Sequence, residues 1–148
     1  METCAECGRE VHGGTAGCRA DFDALVARDF SNVLFGRWHR LLVDVYALQH
    51  PETFCISAKS FAAHLGGLCC WMERGGDAET YRALQRSLNG PSQRVKPELP
   101  HVRGAQTLAS VLGMDDPKAY GESVERWAAD VWAAYAALHA TARTYLDT

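Results

Sequence analysis

The first eighteen residues constrain the fold more than any other stretch. They hold Cys4, Cys7 and Cys18 together with Gly8, Gly13, Gly14 and Gly17, and they are poor in aliphatic side chains. Such an arm cannot bury enough apolar surface to offset the conformational entropy of ordering it, so something other than a core of its own must hold it. The run Cys4-Ala5-Glu6-Cys7-Gly8 lets two thiolates reach one tetrahedral ion, and Gly8 can take the positive φ that such a turn wants. Cys18 offers a third thiolate.

Disulfides are the rival use of six cysteines. The start Met1-Glu2-Thr3-Cys4 lacks a basic region followed by an apolar run, and no stretch reaches the ~18 apolar residues of a membrane span. A cytoplasmic location without a membrane partner is therefore expected, and there cysteines serve as metal ligands or catalysts more often than as disulfides. A redox loop is the other use of Cys-x-x-Cys, but such loops open a helix beside a strand, and the pattern predicts neither at this point. Structural zinc is the expected cofactor.

Beyond the arm the chain reads as helices. Phe22, Leu25, Val26 and Phe30 recur at helical spacing and predict a first helix over about 19–29. The second, about 34–50, is apolar on nearly every side, with Leu34, Phe35, Trp38, Leu41, Leu42, Val45, Tyr46 and Leu48, and belongs at the centre. Pro51 ends it. Ser57 caps a helix of about 58–73 stopped by Gly75-Gly76, and Asp77 caps another ended by Asn89-Gly90-Pro91. The proline-bearing 91–104 segment reads as a crossing loop, followed by a short helix over about 105–113. Asp116-Pro117 then opens a long helix to about Tyr145. No strand pattern and no repeat is visible. The 148 residues are the size of one domain, 1–148, comprising the arm 1–18 and a bundle over 19–148. The expected class is all-α: a compact bundle of about five to six helices with a zinc-stapled N-terminal arm.

Helix lengths point to the fourth zinc ligand. With a rise of about 1.5 Å per residue and antiparallel packing of the first two helices, Cys18 lies level with Tyr46 to His50. His50 is the first choice to join Cys4, Cys7 and Cys18. His12 within the arm and Cys55 just past Pro51 are the rivals, while His39 lies level with the far end of the first helix. A closed Cys3His site leaves no position for water or substrate, so its zinc contributes folding rather than chemistry.

Asp44 interrupts an otherwise apolar helix and needs a partner, for which Arg37, Arg40 or a histidine are placed. His39 and Tyr46 share its helix, and His64 and His139 lie on others. Together these five are the candidate lining of a polar pocket, although each histidine alone is commonly a core or surface residue. Cys69-Cys70 is expected to give one packed and one more exposed thiol. Trp38, Trp71, Trp127 and Trp132 read as core anchors.

Several of these residues also form a recognisable set. Cys4-x-x-Cys7-Gly8, Cys18 followed by Asp21-Phe22, His39-Arg40-Leu41, Tyr46-Ala47-Leu48-Gln49-His50-Pro51 and Arg103-Gly104 resemble an uncharacterised bacterial family of small Cys/His helical proteins, a domain of unknown function. The closing Trp127-Ala128 to Trp132, His139 and Arg143 fit too. The resemblance implies a shared fold and groups Cys4, Cys7, Cys18, His39 and His50 without naming a task. Cys55, Cys69 and Cys70 stand outside it.

Two functions follow as expectations. The first is a zinc-binding interaction module whose pocket holds an unknown small molecule or protein. The second is a metal-dependent enzyme of hydrolase, lyase or thiol-transfer type using a His/Asp pocket. A net charge of −3 and the lack of a long Lys/Arg run argue against nucleic acid.

Overall fold

The computed structural model describes residues 1–91 and 93–147. Ser92, in the expected crossing loop, and Thr148, at the end of the expected domain, lie outside the described residues. The architecture is mostly helical, with one small antiparallel hairpin at the N-terminus. Strands β1 (Glu2–Thr3) and β2 (Glu10–Val11) pair Glu2 with Val11 and Thr3 with Glu10. The expectation of no strand is corrected here. Two residues are too few to print a period-2 pattern, and the pairing is built by the turn between them. Within that turn Cys4 N–H donates to Arg9 O, and Gly8, at φ 79°, donates to Cys4 O.

Helix α1 (Gly14–Ser31) starts five residues before the expected 19 and takes Cys18 into its second turn. Gly13 and Gly14 have φ of 84° and 57°, which lets the chain swing from β2 straight into the helix. At Gly17 a Cβ would run into the His12 carbonyl oxygen. The glycines that argue against a helix by propensity are what make this tight junction possible.

The expected helix over 34–50 is three pieces: α2 (Val33–Gly36), α3 (His39–Gln49) and α4 (Pro51–Phe54). Asn32 caps α2 by accepting from Leu34 N–H at 3.0 Å. The break at Arg37-Trp38 turns the Trp38 indole edge-on to Tyr120 and over Gly121, where any Cβ would strike its ring. In consequence Leu34 is exposed, and so is Phe30 at the end of α1. His50 leaves helical dihedrals at φ −128°, ψ 53°, as the proline after it requires. Helix α3 remains the central element, with Leu41, Leu42, Val45, Ala47 and Leu48 buried.

Helix α5 (Ala58–Arg74) opens on a reciprocal Ser57/Ser60 capping box and closes at Gly75 in the left-handed region. Helix α6 (Ala78–Asn89) is capped by Asp77. The expected helix over 105–113 reduces to a single 3-10 turn, Leu108–Ser110. Helix α7 (Pro117–Ala134) begins at the Asp116-Pro117 signal, with Ala119 N–H donating to the Asp116 carboxylate at 2.9 Å. It does not run on to Tyr145. A 3-10 turn at Ala136–Leu138 redirects the chain into α8 (His139–Leu146), which packs on α5 and α6. Tyr135, at the bend, donates its hydroxyl to Leu48 O at 2.5 Å. That carbonyl lies in the last turn of α3, where no helical N–H remains to take it.

Candidate metal centre and polar cleft

Cys4, on the first turn of the hairpin, Cys7, across it, Cys18, in α1, and His50, at the end of α3, converge from three elements, with their ligand atoms all within 4.8 Å of one another. Cys4 Sγ and Cys18 Sγ lie 3.7 and 3.6 Å from His50 Nε2, and Cys7 Sγ lies 3.9 Å from Cys18 Sγ. All six cysteines are free thiols. Bonds of about 2.3 Å to sulfur and about 2.0 Å to nitrogen give a tetrahedron edges of about 3.5 to 3.8 Å. These three separations are close to those edges. This Cys3His group could hold a metal ion, and among the described residues it is the one His/Cys/Asp/Glu group of three or more drawn this close.

Its orientation is fixed from outside the four ligands. His50 Nδ1 donates to Tyr46 O at 2.7 Å, which leaves Nε2 bare and aimed at the sulfurs. The imidazole stacks on the Tyr46 ring at 3.8 Å, and Tyr46 stacks in turn on Phe22 at 4.0 Å. The Tyr46 hydroxyl donates to Cys18 Sγ at 3.4 Å. Arg9, held by Asp21 at 2.6 Å, places its guanidinium beside the same sulfur. The contact between the Cys7 and Cys18 sulfurs favours charge on Cys18 and draws its thiol below the usual cysteine value; burial opposes this, while His50 and Tyr46 reinforce it. The same contact, with burial, pushes Cys7 up. Burial works against charge on His50, but its contacts with Cys18 and Tyr46 prevail and hold it above the usual histidine value.

Tyr46→Phe removes one donor to the Cys18 sulfur and keeps the ring stack. Metal affinity, read by competition with a chromogenic chelator, should fall roughly tenfold, the lower range for outer-sphere partners, while thermal stability of the loaded protein changes little.

The structure separates the other candidates. His12 is exposed on the turn after β2 and stands outside the cluster. Cys55 is buried with its Sγ on Ala47 O, and burial pushes its thiol up to about 12. Tyr46 belongs to the metal centre rather than to the pocket, because the α3 face that carries it turns toward α1. His139 is likewise absent from that pocket: at the start of α8 it stacks on Trp132 at 3.8 Å and bonds Trp132 O. Cys69 and Cys70 are both fully buried, against the expectation of one exposed thiol. Helix α5 is covered by α3, α6 and α8 on different sides, and burial pushes these thiols up to about 11 and 12.

His39, Asp44 and His64 do come together. With Arg40, Val43 and Ala63 they line a cleft of about 340 Å³ between α3 and α5. His64 Nδ1 donates to Asp44 Oδ1 at 2.9 Å, and Arg40 Nε stands 3.8 Å from Oδ2. Burial lifts the Asp44 carboxyl above its ordinary range, and His64 works against that lift. His39 Nδ1 faces Asp29 Oδ2 at 3.6 Å, an ion-pair distance longer than a hydrogen bond. Asp29 is a residue that sequence reasoning missed, although it falls on the same helical face as Phe22 and Leu25. Nothing in the local sequence signals Arg9.

No helix among the described residues is long and apolar enough to cross a membrane. No curated protein and no solved structure matches the chain. A family model does match, over residues 2–136, which takes in the hairpin, all four residues of the Cys3His group and the cleft, and stops short of α8. The chain therefore belongs to DUF5946, a family of unknown function.

Proposed function

We propose that the protein is a small helical binding module stapled by one structural zinc ion through Cys4, Cys7, Cys18 and His50. The observation that carries this reading is the convergence of three sulfurs and an imidazole nitrogen within 4.8 Å of one another, with separations of 3.6 to 3.9 Å among those closest to a tetrahedral edge. Three thiolates and one imidazole suit zinc among common divalent ions. Four protein ligands complete its coordination, so the ion holds the hairpin to the bundle and activates no water. Residues 1–148 act as one folding unit. Six unpaired thiols suit the reducing cytoplasm. The ligand, a small molecule or a protein segment, enters the cleft of His39, Asp44 and His64, while a chain of net charge −3 offers nucleic acid little attraction.

Cys7→Ser tests the staple, since Cys7 is the ligand with some solvent exposure and its loss opens the least core. The wild-type chain should carry about one zinc ion and the variant almost none. Elemental analysis after dialysis against a weak chelator reads this directly. Stoichiometric zinc in Cys7→Ser would overturn the assignment.

A further inference from the structure

Two acidic side chains are buried among the described residues, Asp29 and Asp44, and each stands behind a histidine of the same cleft. Burying a carboxylate is costly unless its partners compensate, and two such burials at one opening call for an explanation. The tighter pair is Asp44 with His64. Because Asp44 Oδ1 accepts from His64 Nδ1, the opposite nitrogen, Nε2, is bare in the neutral ring. It has no hydrogen-bond partner among the described residues and is not among the atoms shut off from solvent. The carboxylate itself is hidden. Oδ1 is occupied by His64, while Oδ2 is sealed from solvent, against the Gly67 backbone and near Arg40. What the cleft shows an entering molecule is therefore the Nε2 of His64 and a guanidinium, with the His39 ring, its Nδ1 turned to Asp29, on the same wall. Arg40 is half exposed and is held in place by stacking over Tyr81 at 4.2 Å. Val43 and Ala63 supply apolar wall.

We propose that the α3–α5 cleft binds a small protic oxyanion, with Arg40 pairing to the anionic oxygen and His64 Nε2 accepting the ligand's O–H hydrogen. This rests on the reading of the cleft as the module's ligand site. Should the proton transfer fully, it moves from the ligand oxygen to Nε2, and the imidazolium so formed faces Asp44, the arrangement that stabilises a general base. A volume of about 340 Å³ suits a compact molecule with a single anionic group.

Hydrogen phosphate, which carries both an anionic oxygen and an O–H, is the probe. Nitrogen-15 spectra of the zinc-loaded full chain at alkaline pH should show His64 with its proton on Nδ1. Added phosphate should shift its ring signals. Arg40→Gln, a change at an exposed side chain, should weaken that response roughly tenfold while leaving the His64 proton on Nδ1. Asp44→Asn, if it folds, should lose the fixed tautomer; if it does not fold, the wild-type and Arg40→Gln spectra decide the matter alone. A proton on His64 Nε2 in the wild-type chain overturns the acceptor role. No response to phosphate, or one unchanged in Arg40→Gln, overturns the oxyanion site. Zinc content of the same samples is read separately, so failure of the staple is distinguishable from failure of the cleft.

Discussion

Removing the metal with a strong chelator should free the N-terminal hairpin and lower the melting temperature of the chain by about 10 °C. The strands are two residues each, and a two-stranded hairpin is marginal in water without further support. Support comes from Cys4 and Cys18, both buried, and from His50 across the cluster. Without a cation, three sulfurs and an imidazole remain crowded within 4.8 Å of one another with nothing to draw them together. Linkage sets the scale. Free zinc at about a thousand times Kd contributes about 4 kcal/mol, and a domain of this size loses about 2 to 4 °C per kcal/mol. Amide hydrogen exchange should locate the loss: protection falls at Cys4, Gly8 and Val11 and through the first turns of α1, but persists in α5 and α7. An unchanged melting temperature, or an equal loss of protection everywhere, would show that the ion does not act as a local staple.

The same residues show how far a sequence of this kind can be read. The Cys3His grouping was accessible because it depends on two quantities that sequence supplies, the spacing of the cysteines and the length of the helices that carry Cys18 and His50. Helix caps at Ser57, Asp77 and Asp116 were accessible for the same reason, since each is a local hydrogen bond. The bends were not. Helical periodicity runs unbroken through Arg37-Trp38 and through Tyr135, yet the chain turns at both, because Trp38 is drawn over Gly121 and Tyr135 toward the Leu48 carbonyl. Those partners are far away in sequence. The two-residue strands and the entry of Gly13-Gly14 into α1 were hidden for the opposite reason: they are too short and too glycine-rich for any pattern to emerge. In the cleft, His39, Asp44 and His64 could be grouped from their helices, and the level of His39 with the end of the first helix brought Asp29 within reach as well; what no local pattern marks is that Asp29 is buried.

Trp127→Ala should cost about 3 to 5 kcal/mol and about 10 °C or more in melting temperature. The indole is wholly buried in α7, the largest of the fully buried side chains, and truncation leaves a void that the surrounding helices cannot close. Part of the effect is polar. Trp127 Nε1 donates to Gln49 Oε1 at 3.1 Å, and Gln49 Nε2 donates onward to Arg103 O at 3.0 Å and Gln106 O at 2.6 Å. Gln49 is itself buried, so this chain of bonds ties α3 and α7 to the segment that crosses between α6 and α7. Removing the indole leaves Gln49 Oε1 without its donor, at a further cost of about 1 to 3 kcal/mol if no water replaces it. A double-mutant cycle with Trp127→Phe and Gln49→Leu separates the two contributions. The phenyl ring keeps most of the volume and loses the donor, so Trp127→Phe alone should be destabilising, yet nearly neutral once Gln49 is already leucine. Strict additivity of the two changes would mean that Trp127 acts through its volume alone, and that the crossing segment is held by Asp130, which accepts from Gln106 N–H at 2.8 Å, rather than by the indole and Gln49.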